Sequence, residues 1–326
     1  MSYAKDRDQL ITWYRQNKRI LPWRSSRDPY RIWISEVMLQ QTTVTAVIPF
    51  YEKFLNRFPN VHVLAKAELE DVYEYWAGLG YYSRARNLHL SAKNFSAQGF
   101  PQTAAELIEN PGLGPYTSRA IASLAFNEPV GVLDGNVIRV LSRRYGLKLK
   151  WWETKSKQQL QMISDELAKS EFNADVNQGL MELGATICTP KKTLCLMCPW
   201  KKSCIALQNN LISELPLKKE KEKFQTWLWT FDVDIQKSKI YLQPNHETPF
   251  LKKLLLPISK AKLVTEKPKS FDFKHGVTKY DIYVTLKKPK NSPQKGSKAG
   301  LWANIDSISK INPTSLMKKI LSHHNK

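Results

Sequence analysis

All four cysteines of the chain lie within one short stretch, residues 187–205, which reads I-C-T-P-K-K-T-L-C-L-M-C-P-W-K-K-S-C-I. Cys188, Cys195, Cys198 and Cys204 follow a C-x6-C-x2-C-x5-C spacing, and thiols concentrated in this way predict a bound metal or cluster. Disulfides between residues so close in sequence would remove little entropy from the unfolded chain. Structural zinc is the stronger alternative, but it usually takes two separated ligand pairs, and only Cys195 and Cys198 form a C-x2-C pair. The spacing therefore favours an iron–sulfur cluster over zinc.

The chain is also strongly basic. Its 326 residues contain 50 Lys and Arg against 29 Asp and Glu, a net charge of +21, and such a chain accumulates on polyanions. Nucleic acid is the leading partner. An anionic membrane surface is the alternative, although no run approaches the roughly 20 apolar residues of a spanning helix. The N-terminus lacks the apolar core of a secretory signal, so we expect a cytoplasmic location, where thiolates stay reduced and can serve as ligands.

A glutamate lies in the middle of a helix that is expected to be buried. After a first helix at residues 5–19, a second is predicted from Arg31 to about Ile48. This second helix is apolar on more than one side and contains Glu36, so burial should favour the neutral carboxyl and raise its pKa. A carboxyl that keeps its proton suits a general acid. An ion pair with Arg24 or Arg31 is the structural alternative.

Residues 103–126 have the pattern of two helices joined by a tight hairpin. A short helix precedes P-G-L-G, and a second helix begins with Pro115 in its first position. Gly112 and Gly114 allow the backbone to approach a ligand closely and expose N–H groups at a helix N-terminus, where a phosphate can bind. In so basic a chain we interpret this as a helix-hairpin-helix that binds a DNA backbone. A simple glycine turn between two helices is the alternative.

A second carboxylate, Asp134, ends an apolar run and precedes a helix, which predicts an N-cap. The helix N-terminus stabilises negative charge and should keep Asp134 ionised. A glutamate held neutral and an aspartate held negative form an acid and a charge stabiliser, the combination expected where a glycosidic bond is cleaved.

The pattern changes beyond Cys204. Residues 209–224 are rich in charge and contain proline, which predicts a linker. Residues 225–326 alternate in the manner of strands, and we expect a second domain of mixed strand and helix. The lysine-rich stretch 287–298 is expected to be a solvated surface loop.

Five motifs, in this order, resemble the endonuclease III superfamily of helix-hairpin-helix DNA glycosylases, and the MutY-type adenine glycosylases in particular. They are W-I-S-E-V-M-L-Q-Q-T, G-L-G-Y-Y-S-R-A-R-N, P-G-L-G-P-Y-T, L-D-G-N-V-I-R-V-L and the cysteine stretch. The likeness is dense over residues 8–208 and weak beyond. It implies a mainly α fold with a C-terminal α+β Nudix-like domain, although no glutamate-rich Nudix box is present. The implied domains are an iron–sulfur cluster domain at 1–22 and 130–208, a six-helix barrel with the helix-hairpin-helix at 23–129, a linker at 209–224 and a lesion-recognition domain at 225–326.

The resemblance also implies an activity and roles for individual residues. A monomer would bind double-stranded DNA and excise adenine mispaired with 8-oxoguanine or guanine, with a 4Fe-4S cluster on Cys188, Cys195, Cys198 and Cys204. Glu36 would protonate the flipped adenine and Asp134 would stabilise the sugar cation. Active-site support would come from Tyr116, Asn136, Arg24 and Glu182. Gln41, Leu79 and Tyr81 match positions that enter the helix stack near the lesion, and further DNA contacts would come from Gly112, Gly114 and Thr117.

Three positions distinguish the chain within this superfamily. Bifunctional members carry a lysine at the position of Tyr116, and tyrosine cannot form the Schiff base that leads to strand cleavage, so a monofunctional enzyme is expected. Asn110 stands where the hairpin motif usually has leucine. Phe273-Lys274-His275 is the counterpart of a Phe-Ser-His lesion-reading motif, and an ammonium group, which only donates, suits the bare N7 and O6 of guanine better than 8-oxoguanine. We therefore expect weaker discrimination between the two mispairs.

Overall fold

The computed structural model describes residues 3–220, 224–252, 254–277, 279–289, 300–312 and 314–324. The chain divides into two compact units, Met1–Ala67 with Tyr81–Glu220, and Glu68–Gly80 with Lys221–Lys326. Most of the stretch predicted as a lysine-rich surface loop, residues 290–298, lies outside the described residues. Over the ranges above, no helix is long and apolar enough to cross a membrane.

The first unit is helical. Its helices are α1 (Tyr3–Asn17), α2 (Pro29–Leu39), α3 (Val44–Arg57), α4 (Val61–Lys66), α6 (Tyr82–Gln98), α7 (Ala104–Leu107), α8 (Pro115–Phe126), α9 (Gly135–Arg144), α10 (Thr154–Ala168), α11 (Asn173–Thr186) and α12 (Ile205–Gln208). The remaining helix of this part of the chain, α5 (Leu69–Trp76), belongs to the second unit. Pro115 occupies the first position of α8, as predicted. Short 3-10 turns at Pro22–Arg24 and Cys195–Met197 complete the unit.

The prediction of one helix from Arg31 to about Ile48 is wrong. α2 ends at Leu39 and α3 begins at Val44, and the backbone of Gln41 between them is left-handed, with φ of 58°. A left-handed residue cannot continue a right-handed helix, so the chain turns there. The turn separates buried Glu36 from the predicted DNA-contacting residue Gln41.

Helix–helix contacts in the first unit place α11 at its centre. α11 packs against α1, α8, α9 and α10. At Gly179 a Cβ would lie 3.1 Å from Leu10 and 3.2 Å from Tyr14, so the glycine permits the close approach of α1. The core around these helices contains Leu10, Val137, Leu141, Leu160, Leu180 and Trp200. A rigid core of this kind fixes the ends of α8, α9 and α11 relative to one another.

The second unit mixes strand and helix, as predicted. Its strands are β1 (Gln225–Asp232), β2 (Ile235–Gln236), β3 (Lys239–Pro244), β4 (Leu255–Leu256), β5 (Ile258–Val264), β6 (Phe273–Val277), β7 (Tyr280–Lys287) and β8 (Leu301–Asn304), and its later helices are α13 (Ile308–Ile311) and α14 (Ser315–His324). One four-stranded sheet has the order β5-β1-β7-β6, in which β1 and β7 are parallel and the other pairs are antiparallel. A second sheet joins β2, β3 and β4, and β8 also pairs with β3. Trp229, Phe231 and Val284 lie in the core of the unit with Leu316.

Candidate active site

A cavity of about 1050 Å³ in the first unit brings most of the predicted site residues together. A smaller cavity of about 250 Å³ is lined by Tyr81, and by Gln41 and Gly112, which also line the large cavity. Leu79 is buried, with 7% of its surface exposed, and lines neither cavity. The predicted residues that line the large cavity are Arg24, Glu36, Gln41, Gly112, Gly114, Tyr116, Thr117, Asp134, Asn136 and Glu182.

Glu36 lies in the last turn of α2 and is 6% exposed. Burial raises its pKa to about 7, and the charge of Asp134 adds to this, whereas the Tyr116 hydroxyl and Arg24 act in the opposite direction. The predicted upward shift therefore appears in the structure. The alternative, an ion pair with Arg24 or Arg31, is not formed, because Arg24 pairs with Glu182 and Arg31 lies beside Asp28. At neutral pH the carboxyl can still carry a proton to donate.

Tyr116 is the hydrogen-bond partner of Glu36. It follows Pro115 in the first turn of α8, and its hydroxyl donates to Oε2 of Glu36 at 2.9 Å and lies 3.0 Å from Sδ of Met181. Burial and the nearby carboxylates raise the pKa of Tyr116 well above its usual value, so the phenol stays protonated. The group can orient the Glu36 carboxyl, but it offers no amine.

Asp134 caps α9, as the sequence predicted. Its Oδ1 accepts the backbone N–H of Val137 at 2.7 Å, and its Oδ2 accepts Nδ2 of Asn136 at 2.9 Å. Both oxygens are held, so the carboxylate has one orientation. Burial raises the pKa of Asp134 above its usual value, although these hydrogen bonds and the charge of Arg139 favour the ionised form.

Arg139 connects Asn136 with the cysteine stretch, a role that was not predicted from the sequence. Its guanidinium donates to Oδ1 of Asn136 at 2.8 Å, to the carbonyl of Gly184 at 2.7 Å and to the carbonyl of Cys188 at 2.7 Å. A Cβ on Gly184 would lie 2.6 Å from Cβ of Asn136, so only glycine fits there. The i, i+3 spacing of Asn136 and Arg139 on one helix face is the signal that could have revealed the pair.

Glu182 is fully buried and is neutralised by two arginines. Arg19 donates to both of its oxygens, at 2.6 and 2.9 Å, and Arg24 donates to Oε2 at 2.8 Å. Burial alone would raise the pKa of Glu182, but these hydrogen bonds outweigh it and hold the pKa below its usual value. The carboxylate fixes Arg24 at the cavity wall. The role of Arg19 was not predicted, because 163 residues separate it from its partner.

The cysteine stretch has four free, half-buried thiols. Burial raises the pKa of Cys198 to about 12, and the sulfurs of Cys188, Cys204 and Cys195 add to this effect. Cys188 and Cys204 both contact Arg143, whose Nη1 donates to Sγ of Cys188 at 3.5 Å and whose carbonyl accepts Sγ of Cys204 at 3.4 Å. The backbone N–H of Trp200 donates to the sulfur of Cys198. Among the residues that the structure describes, no group of three or more His, Cys, Asp or Glu is arranged to hold a single metal ion.

The hairpin between α7 and α8 presents its glycines to the cavity. Gly112 has φ of 82°, and a Cβ there would lie 2.8 Å from Cβ of Asn87. Asn110, the departure from the usual leucine, donates through Nδ2 to the carbonyl of Glu106 at 3.1 Å at the end of α7. Thr117 accepts Nε2 of Gln40 at 3.2 Å. The substitution at Asn110 therefore satisfies a carbonyl at a helix end and leaves the glycines in place.

The three residues predicted to read the lesion lie on strand β6. Phe273 is buried and stacks with His323, their ring centroids 4.7 Å apart. Lys274 is exposed, and its Nζ lies 3.0 Å from Oδ1 of Asp281 and 5.6 Å from the centre of the Tyr283 ring. Lys274 is thus the member of the three that presents a charged donor at the surface of the second unit.

Comparison with known proteins agrees with this fold. Residues 34–168 match the HhH-GPD superfamily of base excision DNA repair proteins. The adenine DNA glycosylase of Buchnera aphidicola subsp. Schizaphis graminum is 32% identical and covers 96% of both chains, and the human adenine DNA glycosylase is 44% identical over 62% of this chain and 39% of its own.

Two solved structures have the same fold. A thermostable thymine-DNA glycosylase superimposes with a TM-score of 0.58 and 27% identity, covering 64% of this chain and 97% of its own. An endonuclease III–DNA complex superimposes with a TM-score of 0.54 and 20% identity, covering 65% of this chain and 99% of its own. The family match and these relatives show that the chain is a DNA N-glycosylase of base excision repair. Within that class the chain belongs to the adenine DNA glycosylase family.

Proposed function

We propose that the chain acts as a monomer on double-stranded DNA, excises adenine paired with 8-oxoguanine or guanine, and leaves an intact strand with an abasic site. The observation that carries this proposal is the arrangement of three side chains in one cavity. Burial raises the pKa of Glu36 to about 7, and the Tyr116 hydroxyl donates a hydrogen bond to its carboxyl group. Asp134 lies in the same cavity, and both of its oxygens accept hydrogen bonds.

The chemistry follows from the two carboxyl groups. Adenine must leave the helix stack to reach a buried cavity. Protonated Glu36 then donates to a ring nitrogen of adenine while the bond from that base to C1′ of the sugar breaks. Ionised Asp134 stabilises the positive charge that develops on the sugar. Addition of water at C1′ with loss of a proton completes the hydrolysis.

The product distinguishes this proposal from a lyase. A 5′-labelled duplex with a central A:8-oxoguanine pair, incubated with excess enzyme, should show strand breaks only after alkali treatment, because Tyr116 cannot form a Schiff base. An A:T duplex is the matched control and should remain intact in both lanes. Efficient nicking without alkali, or covalent trapping of the enzyme by borohydride, would contradict the monofunctional assignment.

We also propose that the four cysteines hold a 4Fe-4S cluster. An iron–sulfur cluster requires several cysteine thiols close together and hydrogen-bond donors to their sulfurs. The four cysteines lie in one short stretch, and backbone N–H groups donate to the sulfurs of Cys198 and Cys204. When bound, the cluster would order the cysteine stretch, in which the carbonyl of Cys188 accepts a hydrogen bond from Arg139. Metal analysis should give about four irons per chain, and zinc in their place would contradict the assignment.

Exposed lysines lie beside the cluster ligands, and in the ordered stretch they would be able to dock DNA phosphates. They are Lys191, Lys192, Lys201 and Lys202.

The second unit is proposed to read the base opposite adenine, with Lys274 lowering the preference for 8-oxoguanine over guanine. Its ammonium group is exposed and only donates hydrogen bonds. In single-turnover excision, Lys274→Ser should raise the ratio of the A:8-oxoguanine rate to the A:G rate. Lys260→Ser, which removes an equal charge from an exposed position on β5, is the matched control. The same ratio in wild type and Lys274→Ser would refute the role of Lys274.

A further inference from the structure

Two of the predicted DNA-contacting residues have a backbone conformation that is rare outside glycine. Gln41, in the turn between α2 and α3, has φ of 58°, and Tyr81, directly before α6, has φ of 50°. Neither is a residue type that favours the left-handed region. Such conformations persist only where surrounding contacts hold them, and they concentrate at functional sites.

One side chain, Arg84, contacts both the turn that contains Gln41 and the ring of Tyr81. Its Nη1 donates to the carbonyls of Val37, Met38 and Gln40, at 2.8, 2.9 and 2.6 Å. These carbonyls lie at the C-terminal end of α2, where the helix offers them no backbone donor. The contact with Gln40 fixes the peptide group that directly precedes Gln41.

Arg84 also reaches Tyr81. The carbon at the centre of its guanidinium lies 5.4 Å from the centre of the Tyr81 ring, a cation–π distance. The backbone N–H of Arg84 donates to the carbonyl of Tyr81 at 2.8 Å. Arg84 is 9% exposed, whereas the neighbouring residue Tyr81 is 47% exposed. A buried cation therefore supports an exposed aromatic ring and a strained turn at the same time.

We propose that Arg84 is a positioning residue for base flipping. It holds the Gln41 turn and the Tyr81 ring in the conformations in which both enter the base stack, without touching the reacting atoms in the cavity. The inference rests on the proposed function, since it assigns a purpose to the predicted entry of Gln41 and Tyr81 into DNA. Arginine is required because a planar guanidinium can donate to several carbonyls while its face lies on a ring, whereas an ammonium is a point charge.

The test compares Arg84→Lys with Arg86→Lys, an exposed arginine two residues along the same helix. Three measurements are made on each: the single-turnover excision rate from an A:8-oxoguanine duplex, the fluorescence rise when 2-aminopurine replaces the adenine, and the pH dependence of the rate. Arg84→Lys should lower the rate by about tenfold or more, because a displaced stack-entering group lowers the flipped population. The fluorescence rise should fall with it, and the pH midpoint should not move.

Each other outcome decides against the inference. An unchanged rate, or a lowered rate with a full fluorescence rise, would overturn it, and a shifted pH midpoint would show instead that the cavity around Glu36 is damaged. If Arg84→Lys does not fold, Arg84→Gln, which keeps two amide donors, undergoes the same measurements. Absence of excision by the wild type would count against the proposed function and not against Arg84.

Discussion

Replacing Glu36 with glutamine is expected to slow adenine excision by about 10²- to 10⁴-fold, the usual contribution of a general acid. Glutamine keeps the size of the side chain and can still accept the Tyr116 hydroxyl, but it has no acidic proton for the departing base. Single-turnover rates from an A:8-oxoguanine duplex measure the loss. Glu52→Gln, on the exposed face of α3, is the control and should keep the wild-type rate.

The pH dependence of the same variant identifies the group. Glu36 must be protonated to donate, and burial raises its pKa from 4.5 to about 7, so the wild-type rate should fall as pH rises through about 7. Glu36→Gln should lack this decline. The raised pKa also means that ionising Glu36 costs the folded state stability, a cost that appears as pH rises from 4.5 to about 7. The variant should therefore gain stability over wild type across that range, and a decline in rate that persists in Glu36→Gln would assign it to another group.

Asp134→Asn is expected to lower excision by about 10²- to 10³-fold, because a neutral amide cannot stabilise the positive charge on the sugar. Asparagine is as good an N-cap as aspartate, and its oxygen can accept the N–H of Val137, but its amide nitrogen cannot accept Nδ2 of Asn136. Loss of that one hydrogen bond should lower the melting temperature only slightly, while the rate falls by the full factor. Asp175→Asn removes a charge from another residue that lines the cavity and serves as the control. Equal losses in both variants would mean that general electrostatics, and not Asp134, supports the reaction.

Local patterns were enough to predict several parts of the site. Asp134 before an apolar helix predicted the N-cap, and Pro115 predicted the start of α8, because capping and helix initiation depend on residues close in sequence. The apolar surroundings of Glu36 along α2 likewise predicted a buried carboxyl. Each of these features is decided within one or two helical turns.

Contacts between distant residues decided the rest. The end of α2 at Leu39 is not marked by glycine or proline, and its last carbonyls are satisfied by Arg84, 44 to 47 residues further along the chain. The partner of Glu36 is Tyr116, 80 residues away. The hydrogen bond from Arg139 to the carbonyl of Cys188 likewise joins residues that are far apart in the sequence. No periodicity or spacing reports such pairs, because they exist only once the helices have packed.

The most direct test of the central claim is to measure free adenine and abasic sites together. Wild type and Asp134→Asn are incubated in excess with an A:8-oxoguanine duplex, released base is quantified by chromatography, and alkali-labile strands are counted on a gel. We expect the wild type to release one adenine for each abasic site without alkali-independent breaks, and Asp134→Asn to release almost none. Equal adenine release by the two proteins, or no release by the wild type, would contradict the assignment of the reaction to this cavity.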